Sequence, residues 1–479
     1  MKLSQLIAVD YDVEITGIAV DSRKVQKGNL FLCVRGERAD GHDYVYEALK
    51  KGAAVIVAER SLGLENEIIL PDTRRAAASL YATWYRNPQK ELRIFGVTGT
   101  NGKSTTVALL QSIYQQAGYK TAVCGTLGCS WEGKQYSLEN TTPLPEVLYE
   151  RLREMADDGV THLFMEVSSH SLALDRVSEI DFCYGVFTNL TPEHLDFHKT
   201  MEAYALAKEK LFLQSEQCVI NLDDAYGNLA YQKYSSRSIG YGKAARADCR
   251  LNEILHQGLN GSIFTICYQK QDHLLTTALA GEYNLYNVLS AVSVALSDGV
   301  AMETIATAVA SFSGIKGRLE PVYQGEFMVF IDYAHTPDAL LRVLTDLRKA
   351  SPKRLRVLFG CGGDRDRSKR HLMGRIAQTV ADDVIVTSDN SRSEDPCKII
   401  DDILAGLENI PCDEVAVIPN RKEALCFAIQ TARAGDVILV AGKGHEEYEI
   451  DRLGKHPFSE SEIISDMLKR YHKTVDERK

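Results

Sequence analysis

A glycine turn, Gly99-Thr100-Asn101-Gly102-Lys103-Ser104, follows the apolar run Arg93-Ile94-Phe95-Gly96-Val97 and precedes a helical pattern that begins near Thr105. Strand, glycine loop and helix in that order predict a helix-flanked sheet with the turn at a strand's carboxyl end. Backbone N–H groups in such a turn point at phosphate oxygens, and the helix N-terminus adds partial positive charge. Lys103 would reach the β- and γ-phosphates of a nucleotide, and Ser104 would offer its hydroxyl to Mg²⁺. The spacing departs from the usual phosphate loop, because Val97 stands six residues before Lys103 and the nearer glycines are Gly96 and Gly99. An ordinary glycine turn is the simpler reading; the flanking strand and helix favour phosphate binding.

At 479 residues, 45% hydrophobic and 25% charged, the chain is too long for one core, and about two to four domains are expected. Its net charge of -10 argues against a general grip on nucleic acid, which needs a basic surface. The basic cluster at 365–370 therefore needs another explanation. Eleven cysteines without a Cys-x-x-Cys pair read as reduced thiols of a cytoplasmic protein. The N-terminal stretch is too short and too soon acidic for a signal peptide, and no apolar run reaches bilayer length, so no membrane association is expected.

The pattern predicts an α/β protein in three blocks, 1–88, 89–316 and 317–479. In the first, short strands at 30–34 and 53–57 flank a helical stretch at 42–51. Tyr85-Arg86-Asn87-Pro88-Gln89 reads as a linker, since a proline ends the preceding helix. The central block alternates strands with helices, as a mostly parallel, doubly wound sheet requires. Gly314-Ile315-Lys316-Gly317-Arg318 marks the next boundary.

In the third block, 327–331, 355–360, 383–387 and 437–440 are apolar, β-branched runs separated by helical stretches, which predicts buried parallel strands of a Rossmann-like sheet. After the last three come Gly362-Gly363-Asp364-Arg365-Asp366-Arg367, Ser388-Asp389-Asn390-Ser391-Arg392 and Gly442-Lys443-Gly444-His445-Glu446. These polar segments should share one edge of the sheet, where ligands collect. Arginines there suit carboxylates, and Asp389 and Glu446 suit an ammonium group. A zwitterionic amino acid presents both; solvated turn residues are the alternative.

In the central block, Glu166 ends the apolar run Leu163-Phe164-Met165, a place where nucleotide-bound Mg²⁺ commonly finds its protein ligand. His194 falls in a loop after another strand-like segment, and by itself reads as an ordinary hydrogen-bonded histidine. Lys208 lies in a helical stretch, 201–214, with Thr200 available as N-cap; by itself it reads as a solvated surface charge.

Several runs together resemble the Mur ligase family. They are 96–105, Asn140-Thr141-Thr142-Pro143, 165–170, 188–198, Gly281-Glu282-Tyr283-Asn284 through Asn287, Gly317-Arg318-Leu319-Glu320, Asp332-Tyr333-Ala334-His335-Thr336-Pro337 and 441–446. The likeness covers essentially the whole chain in order. It implies an N-terminal domain for a UDP-linked substrate, a central ATP-binding domain and a C-terminal amino-acid domain. It also implies an ATP-dependent, amide-forming ligase of cytoplasmic peptidoglycan precursor synthesis, here for the diamino residue added to UDP-N-acetylmuramoyl-L-alanyl-D-glutamate.

Carried over by position, the resemblance implies that Thr98, Gly99, Thr100, Asn101, Gly102, Lys103 and Ser104 cradle the ATP phosphates. Asn284 and Asn287 would face the adenine, with Arg318 and Asp332 over phosphate and ribose. Ser104 and Glu166 match Mg²⁺ ligands, and His194 matches a ligand of a second Mg²⁺. Lys208 falls on the family lysine that CO₂ carbamylates, turning a cation into an anionic oxygen donor. Ser22, in Asp21-Ser22-Arg23, matches the uridine-nucleotide end of the acceptor site. Asn140, Thr141, Thr142, Ser168 and Arg176 match residues that hold the muramoyl-dipeptide, while Leu174 stands where some relatives carry glutamine.

By the same likeness, the γ-carboxylate of the acceptor's D-glutamate attacks the γ-phosphate of ATP, and the amine of the incoming amino acid displaces phosphate from the acyl phosphate. Lys103, Glu166, His194 and Lys208 are the expected catalytic group, acting electrostatically with two Mg²⁺ ions. Hinges near Gly314 and Gly317 would let the C-terminal block close. Arg365, Asp389, Asn390, Ser391, Arg392, Gly442 and Glu446 would hold the amino acid. Members that use meso-diaminopimelate resemble Asp-Asn-Pro-Arg at 389–392; this chain keeps Arg392 but has Ser391 for the proline, which loosens the loop without removing the charge. Meso-diaminopimelate is therefore favoured over L-lysine or another diamino acid, and the enzyme is expected to act as a monomer. A folylpolyglutamate synthetase fits the 21–23 and 389–392 segments poorly. A phosphate-loop switch that hydrolyses nucleotide without an amino acid is the alternative from another class.

Overall fold

The structure, a computed structural model, describes residues 1–36, 39–350, 352–407 and 414–476. The chain forms two compact units, one comprising Met1–Leu190, His198–Cys249 and Ser290–Ile305, the other Thr191–Phe197, Arg250–Leu289 and Ala306–Lys479.

The first unit begins with a small parallel sheet of β1 (Gly17–Ala19), β2 (Asn29–Leu32), β3 (Val55–Ala58) and β4 (Glu67–Ile69), in that spatial order. Leu30, Phe31, Leu32, Val55, Ile56 and Val57 are all buried, as expected of strands covered on both faces. The helix Thr73–Trp84, capped by the Asp72 carboxylate accepting from the Arg75 N–H, leads out of this layer. Left-handed Arg86 and Asn87 then turn the chain into Pro88–Lys90, where the sequence places its linker.

The larger sheet of this unit contains β5 (Arg93–Thr98), β6 (Thr121–Gly125), β7 (Gly128–Trp131), β8 (Lys134–Tyr136), β9 (His162–Glu166), β10 (Phe182–Phe187), β11 (Ser215–Asn221) and β12 (Ser238–Gly242). Their order is β12-β11-β10-β5-β9-β6-β7-β8. Pairing is parallel from β12 through β6 and antiparallel at β7 and β8. Register sets Val97 opposite Glu166 and Thr98 opposite Phe187, so the turn after β5 leaves the sheet at the carboxyl ends of β9 and β10. The expectation of reduced cysteines throughout fails for one pair. Cys124 and Cys129 stand directly opposite on β6 and β7 and are joined as a disulfide, because the tight turn between these strands brings two residues five apart into register.

In the second unit, β13 (Cys249–Gly258) lies beside β14 (Gly261–Tyr268), which pairs antiparallel with β15 (Gln271–Thr277). A six-stranded sheet follows, made of β16 (Glu320–Gln324), β17 (Met328–Asp332), β18 (Arg354–Phe359), β19 (Asp383–Val386), β20 (Val415–Val417) and β21 (Asp436–Ala441). Its order is β16-β17-β21-β18-β19-β20, with only the β16 edge antiparallel. The four apolar runs of the third block thus appear as β17, β18, β19 and β21, each end moved by at most one residue. Buried side chains fill both faces: Phe330, Val357 and Leu439 on one, Ile331, Leu358 and Val440 on the other. The hairpin of β22 (Tyr448–Asp451) and β23 (Gly454–Pro457) follows β21.

Candidate active site

In the first unit the glycine turn caps the helix Lys103–Gln116, with Gly99 at φ 147° and Gly102 at φ 89°. A Cβ on Gly99 would lie 1.9 Å from the Thr188 hydroxyl, so this position admits only glycine. The turn is braced from the end of β10. The Thr100 N–H donates to the Asn189 carbonyl (2.8 Å), the Asn101 N–H to Asn189 Oδ1 (2.9 Å) and the Thr188 hydroxyl to the Asn101 carbonyl (2.6 Å). Lys103 folds back over its own loop, its ammonium donating to the carbonyls of Gly99 (2.9 Å) and Thr100 (2.8 Å).

Glu166, only 2% exposed at the end of β9, is the hub of this cluster. Its Oε1 accepts from the Ser104 hydroxyl (2.8 Å) and the Thr126 N–H (2.9 Å), and its Oε2 from the Thr126 hydroxyl (3.1 Å). A buried carboxylate needs such donors. Gly125 leaves room for it, since a Cβ there would sit 2.4 Å from Oε1. Thr126 also meets the Thr141 hydroxyl at 3.2 Å, and the Thr142 hydroxyl donates to the Glu166 carbonyl (2.9 Å) while accepting from the Ser168 N–H (3.0 Å). Arg176 donates to the Thr142 carbonyl (3.2 Å). The structure therefore gathers Ser104, Thr141, Thr142, Glu166, Ser168 and Arg176 into one connected set. Asn140 is exposed, and Ser22 bonds through its hydroxyl to Glu47 (2.9 Å).

Lys208 corrects the surface-charge reading: it is 1% exposed on the helix Met201–Leu213, whose Thr200 cap is as expected. Its ammonium lies 4.5 Å from the Tyr204 ring, and the Tyr204 hydroxyl is 3.2 Å from that of Thr100, which links this helix to the glycine turn. Thr126, Thr188, Asn189 and Tyr204 were not assigned roles from sequence. Thr126, Thr188 and Asn189 act from a turn or a strand end and Tyr204 through the packing of its helix, none of which a local pattern encodes.

In the second unit, Asn284 and Asn287 occupy the first turns of the helix Glu282–Ser297; Asn284 donates to the Ala280 carbonyl (2.7 Å) and Asn287 to Asn284 Oδ1 (2.9 Å). A narrow cleft runs past Leu259, Ala280, Asn284, Ile315, Arg318 and Phe330. The Arg318 guanidinium stacks 4.6 Å from the Tyr333 ring. Asp332 accepts from the N–H groups of Leu319 (2.6 Å) and Ala334 (2.7 Å), and burial pushes its carboxyl up to about 6. His194, left-handed at φ 56°, has its Nε2 3.7 Å from Glu193, whose other oxygen is 4.0 Å from His335.

The three polar segments after β18, β19 and β21 do share one edge of their sheet. The Gly363 N–H donates to the Asn390 carbonyl (2.9 Å), and the Asn390 amide donates to Glu446 Oε2 (2.7 Å). Arg392, left-handed at φ 52°, donates to the carbonyls of Gly363 (2.9 Å) and Asn390 (3.3 Å). A Cβ on Gly442 would approach Asp389 Oδ2 to 2.7 Å. Ser391 is buried, its carbonyl accepting from the Glu394 N–H (3.0 Å), and the Arg392 N–H is tied to the Ile450 carbonyl of β22 (3.0 Å). Burial raises the Glu446 carboxyl above its ordinary range, with Asp389 nearby adding to the effect. Arg365 is exposed and bonds through its side chain to the Asp364 carbonyl. Arg370 instead turns inward onto Glu394 (2.9 Å) and Asp402 (2.9 Å), so the basic cluster is partly a buried ion-pair network.

A phosphate-loop α/β unit, joined in one chain to a Rossmann-like sheet with a charged cluster at its strand ends, is the architecture defined so far. Family models match three successive stretches: "Mur ligase family, catalytic domain" at 14–85, "Mur ligase middle domain" at 97–295 and "Mur ligase, glutamate ligase domain" at 317–444. The chain belongs to the Mur ligase family. It is 42% identical to a UDP-N-acetylmuramoyl-L-alanyl-D-glutamate--2,6-diaminopimelate ligase of Syntrophomonas wolfei, over 96% of this chain and 95% of that protein. To a relative of the same name, numbered 1, from Clostridium acetobutylicum it is 40% identical, over 97% of each chain. A solved structure of a ligase so named matches with a TM-score of 0.72 at 31% identity, covering 98% of this chain and 99% of that one.

Proposed function

We propose that this chain is an ATP-dependent ligase that joins meso-diaminopimelate to the D-glutamate of UDP-N-acetylmuramoyl-L-alanyl-D-glutamate. The observation that carries this reading is the charged cluster of the second unit: Arg392 beside Asp389, Asn390 and Glu446 offers both halves of an amino acid a partner, in a chain alike over its full length to ligases of that name.

Lys103 leaves the Gly99 and Thr100 carbonyls to meet the phosphates of ATP, whose oxygens also accept from the turn's N–H groups. Thr141, Thr142, Ser168 and Arg176 orient the acceptor so that its γ-carboxylate reaches the γ-phosphate, giving an acyl phosphate and ADP. Asp389 and Glu446 hold the incoming ammonium, and Arg392 with Arg365 the carboxylates; once the ammonium has released a proton to solvent, the amine attacks the acyl carbon, the bond from that carbon to the phosphate oxygen breaks, and inorganic phosphate leaves as the amide forms. Among the described residues no group of three or more His, Cys, Asp or Glu side chains is placed to hold a metal. That suits Mg²⁺, which is commonly held by one or two carboxylates together with substrate phosphates. The hard oxygens of Ser104 and Glu166, 2.8 Å apart, fit it, with His194 and carbamylated Lys208 as the further ligands of this reading. Mg²⁺ bound there would stabilise charge on the transferring phosphoryl group. Asn284, Asn287, Arg318 and Asp332 hold the nucleoside part of ATP.

In this reading the enzyme acts as a monomer. No helix among the described residues is long and apolar enough to cross a membrane, and the reading places the reaction in the cytoplasm. Phosphate release with ATP, Mg²⁺ and the UDP-linked dipeptide, compared for meso-diaminopimelate, L-lysine and L-ornithine, tests it. Tripeptide formation with meso-diaminopimelate is expected; none with any amine would refute it.

A further inference from the structure

Lys443 is the one residue of the Gly442-to-Glu446 segment whose side chain is fully enclosed: it is 0% exposed and lies on the same sheet edge as Asn390 and Glu446. Its ammonium donates to Asn390 Oδ1 (2.9 Å) and to the Tyr448 carbonyl (2.9 Å), with Asp389 Oδ1 at 3.9 Å and the Phe458 ring at 5.6 Å. Asn390 Oδ1 accepts a second bond from the Ile450 N–H (2.9 Å). An amide oxygen has two lone pairs, and both are used by donors. The Asn390 amide therefore cannot flip, and its Nδ2 faces Glu446 Oε2 at 2.7 Å.

The consequence reaches the pocket. Burial and the Asp389 charge both favour a neutral Glu446 carboxyl, while the Asn390 N–H and the Lys443 charge favour the carboxylate. Without Lys443 only the Ile450 N–H would still hold the amide oxygen, and the donor that fixes Glu446 would be held less firmly. Lys443 also ties Asn390 to the first residue of β22, adding to the bonds that the Ile450 N–H and carbonyl make with Asn390 and Arg392. This matters where Ser391 replaces a proline, because the backbone there has no ring to restrict it.

We propose that Lys443 is a positioning residue for the ammonium subsite of the incoming amino acid, acting through the fixed amide of Asn390 on Glu446. The inference rests on the ligase reading above. A positioning role differs from a general structural one in which constants change. The Lys443→Met variant is expected to raise KM for meso-diaminopimelate at least about tenfold, the scale of one hydrogen bond to a charged group. KM for ATP and for the UDP-linked dipeptide should stay within about twofold, the ordinary spread of a remote substitution. Lys443→Gln, which keeps an N–H donor for Asn390 Oδ1 and is small enough for the same space, is expected to recover most of that loss; Lys443→Ala, which also removes the donor, takes the place of the methionine variant if that one does not fold. In an Asn390→Ala background, Lys443→Met should change KM for the amino acid by less than about twofold, since the element it acts through is gone.

An unchanged KM for the amino acid in the methionine variant, or in the alanine variant used in its place, would overturn the proposal. So would a parallel rise in all three KM values, or full additivity with Asn390→Ala. If the unsubstituted chain makes no tripeptide from meso-diaminopimelate, the ligase reading fails and this inference falls with it; wild-type turnover with unaltered variants sinks the Lys443 proposal alone.

Discussion

The Ser104 hydroxyl and Glu166 Oε1 meet at 2.8 Å although 62 residues separate them, one at the start of the helix after β5 and the other at the end of β9. The parallel register that puts Val97 beside Glu166 makes the meeting unavoidable. A hydroxyl and a carboxylate so placed form an oxygen pair next to the phosphate loop. Glu166→Gln keeps the size and one accepting oxygen, turns the other oxygen into an N–H donor and removes the charge. It is expected to lower turnover by about 10²–10³-fold, as loss of a group that stabilises transition-state charge does. Phosphate release at saturating substrates, with circular dichroism to confirm the fold, checks this; turnover within threefold of the unsubstituted chain would exclude Glu166 from the chemistry.

Gly125 tests the same carboxylate by displacement. Its φ is not left-handed, so alanine brings no backbone strain, yet the new Cβ would stand 2.4 Å from Glu166 Oε1. The carboxylate must shift. Misplacement of a catalytic group by about 1 Å lowers rates by about 10²-fold. Gly125→Ala should therefore raise the Mg²⁺ concentration for half-maximal activity and reduce turnover, with a loss of stability of about 1–3 kcal/mol from the crowding. A magnesium titration that overlays the parent's would show that Glu166 sits elsewhere in the working enzyme.

Arg392 is held left-handed with its guanidinium along the Gly363 and Asn390 carbonyls, beside the acidic pair of the pocket. A charge-assisted contact to a substrate carboxylate contributes about 1.5–3 kcal/mol. Arg392→Ala is thus expected to raise KM for meso-diaminopimelate by roughly 10- to 100-fold, with KM for ATP unchanged. L-lysine, which lacks the second carboxylate, should lose no efficiency. Equal losses for both amines would move the recognition of that carboxylate to another residue.

The sequence made local order legible and hid what depends on partners. Strand, turn and helix at 93–116 and the four apolar runs of the third block are consecutive patterns, and parallel strands must put their following loops on one edge, so Asn390, Arg392 and Glu446 converge as expected. Lys208 was illegible because its helix is buried on more than one side: Tyr204, Ala205, Ala207, Glu209, Leu211 and Phe212 are buried with it, and no clean polar face remains to mark the lysine as inward. Thr126 and the Cys124–Cys129 pair depend on the β6–β7 turn, whose register follows from pairing across the sheet. Lys443 reads as one more loop cation until the β22 hairpin is seen to enclose it.

Arg421 and Glu460 form an ion pair at 2.7 Å with side chains 0% and 1% exposed, and Arg421 also donates to the carbonyls of Ser388 (3.0 Å) and Ala441 (2.8 Å), the residues that precede Asp389 and Gly442. Glu460 Oε2 is buried without a hydrogen-bond partner among the described residues. Arg421→Met would leave that carboxyl uncompensated and is expected to lower stability by about 3–5 kcal/mol, whereas Arg421→Met with Glu460→Met should recover most of it, because an apolar pair avoids the desolvation of both charges. Urea unfolding of the full chain followed by tyrosine fluorescence reads both. A double variant no more stable than the single one would mean that the carbonyl bonds of Arg421, not its charge, hold the two strand ends.

Asp332 lends the second unit a pH dependence of definite sign. Its carboxyl, enclosed at the end of β17, is raised from 3.8 to about 6, chiefly by burial, against the pull of Arg318 and two N–H donors. A carboxyl raised in the folded state binds its proton more tightly there than in the unfolded chain, so its contribution is fully present below pH 3.8 and is lost as pH rises through about 6. The difference corresponds to roughly 3 kcal/mol. Asp332→Asn removes the titration but keeps an oxygen for the Leu319 or Ala334 N–H. Relative to the parent, the variant should therefore be less stable near pH 4 and gain steadily between pH 4 and 7, as read from urea midpoints at each pH. Glu446 and Glu460, also raised by burial, are present in both chains and cancel in the comparison. A stability difference that does not vary across this range would mean that Asp332 is ionised throughout, with Arg318 and the two N–H donors outweighing its burial.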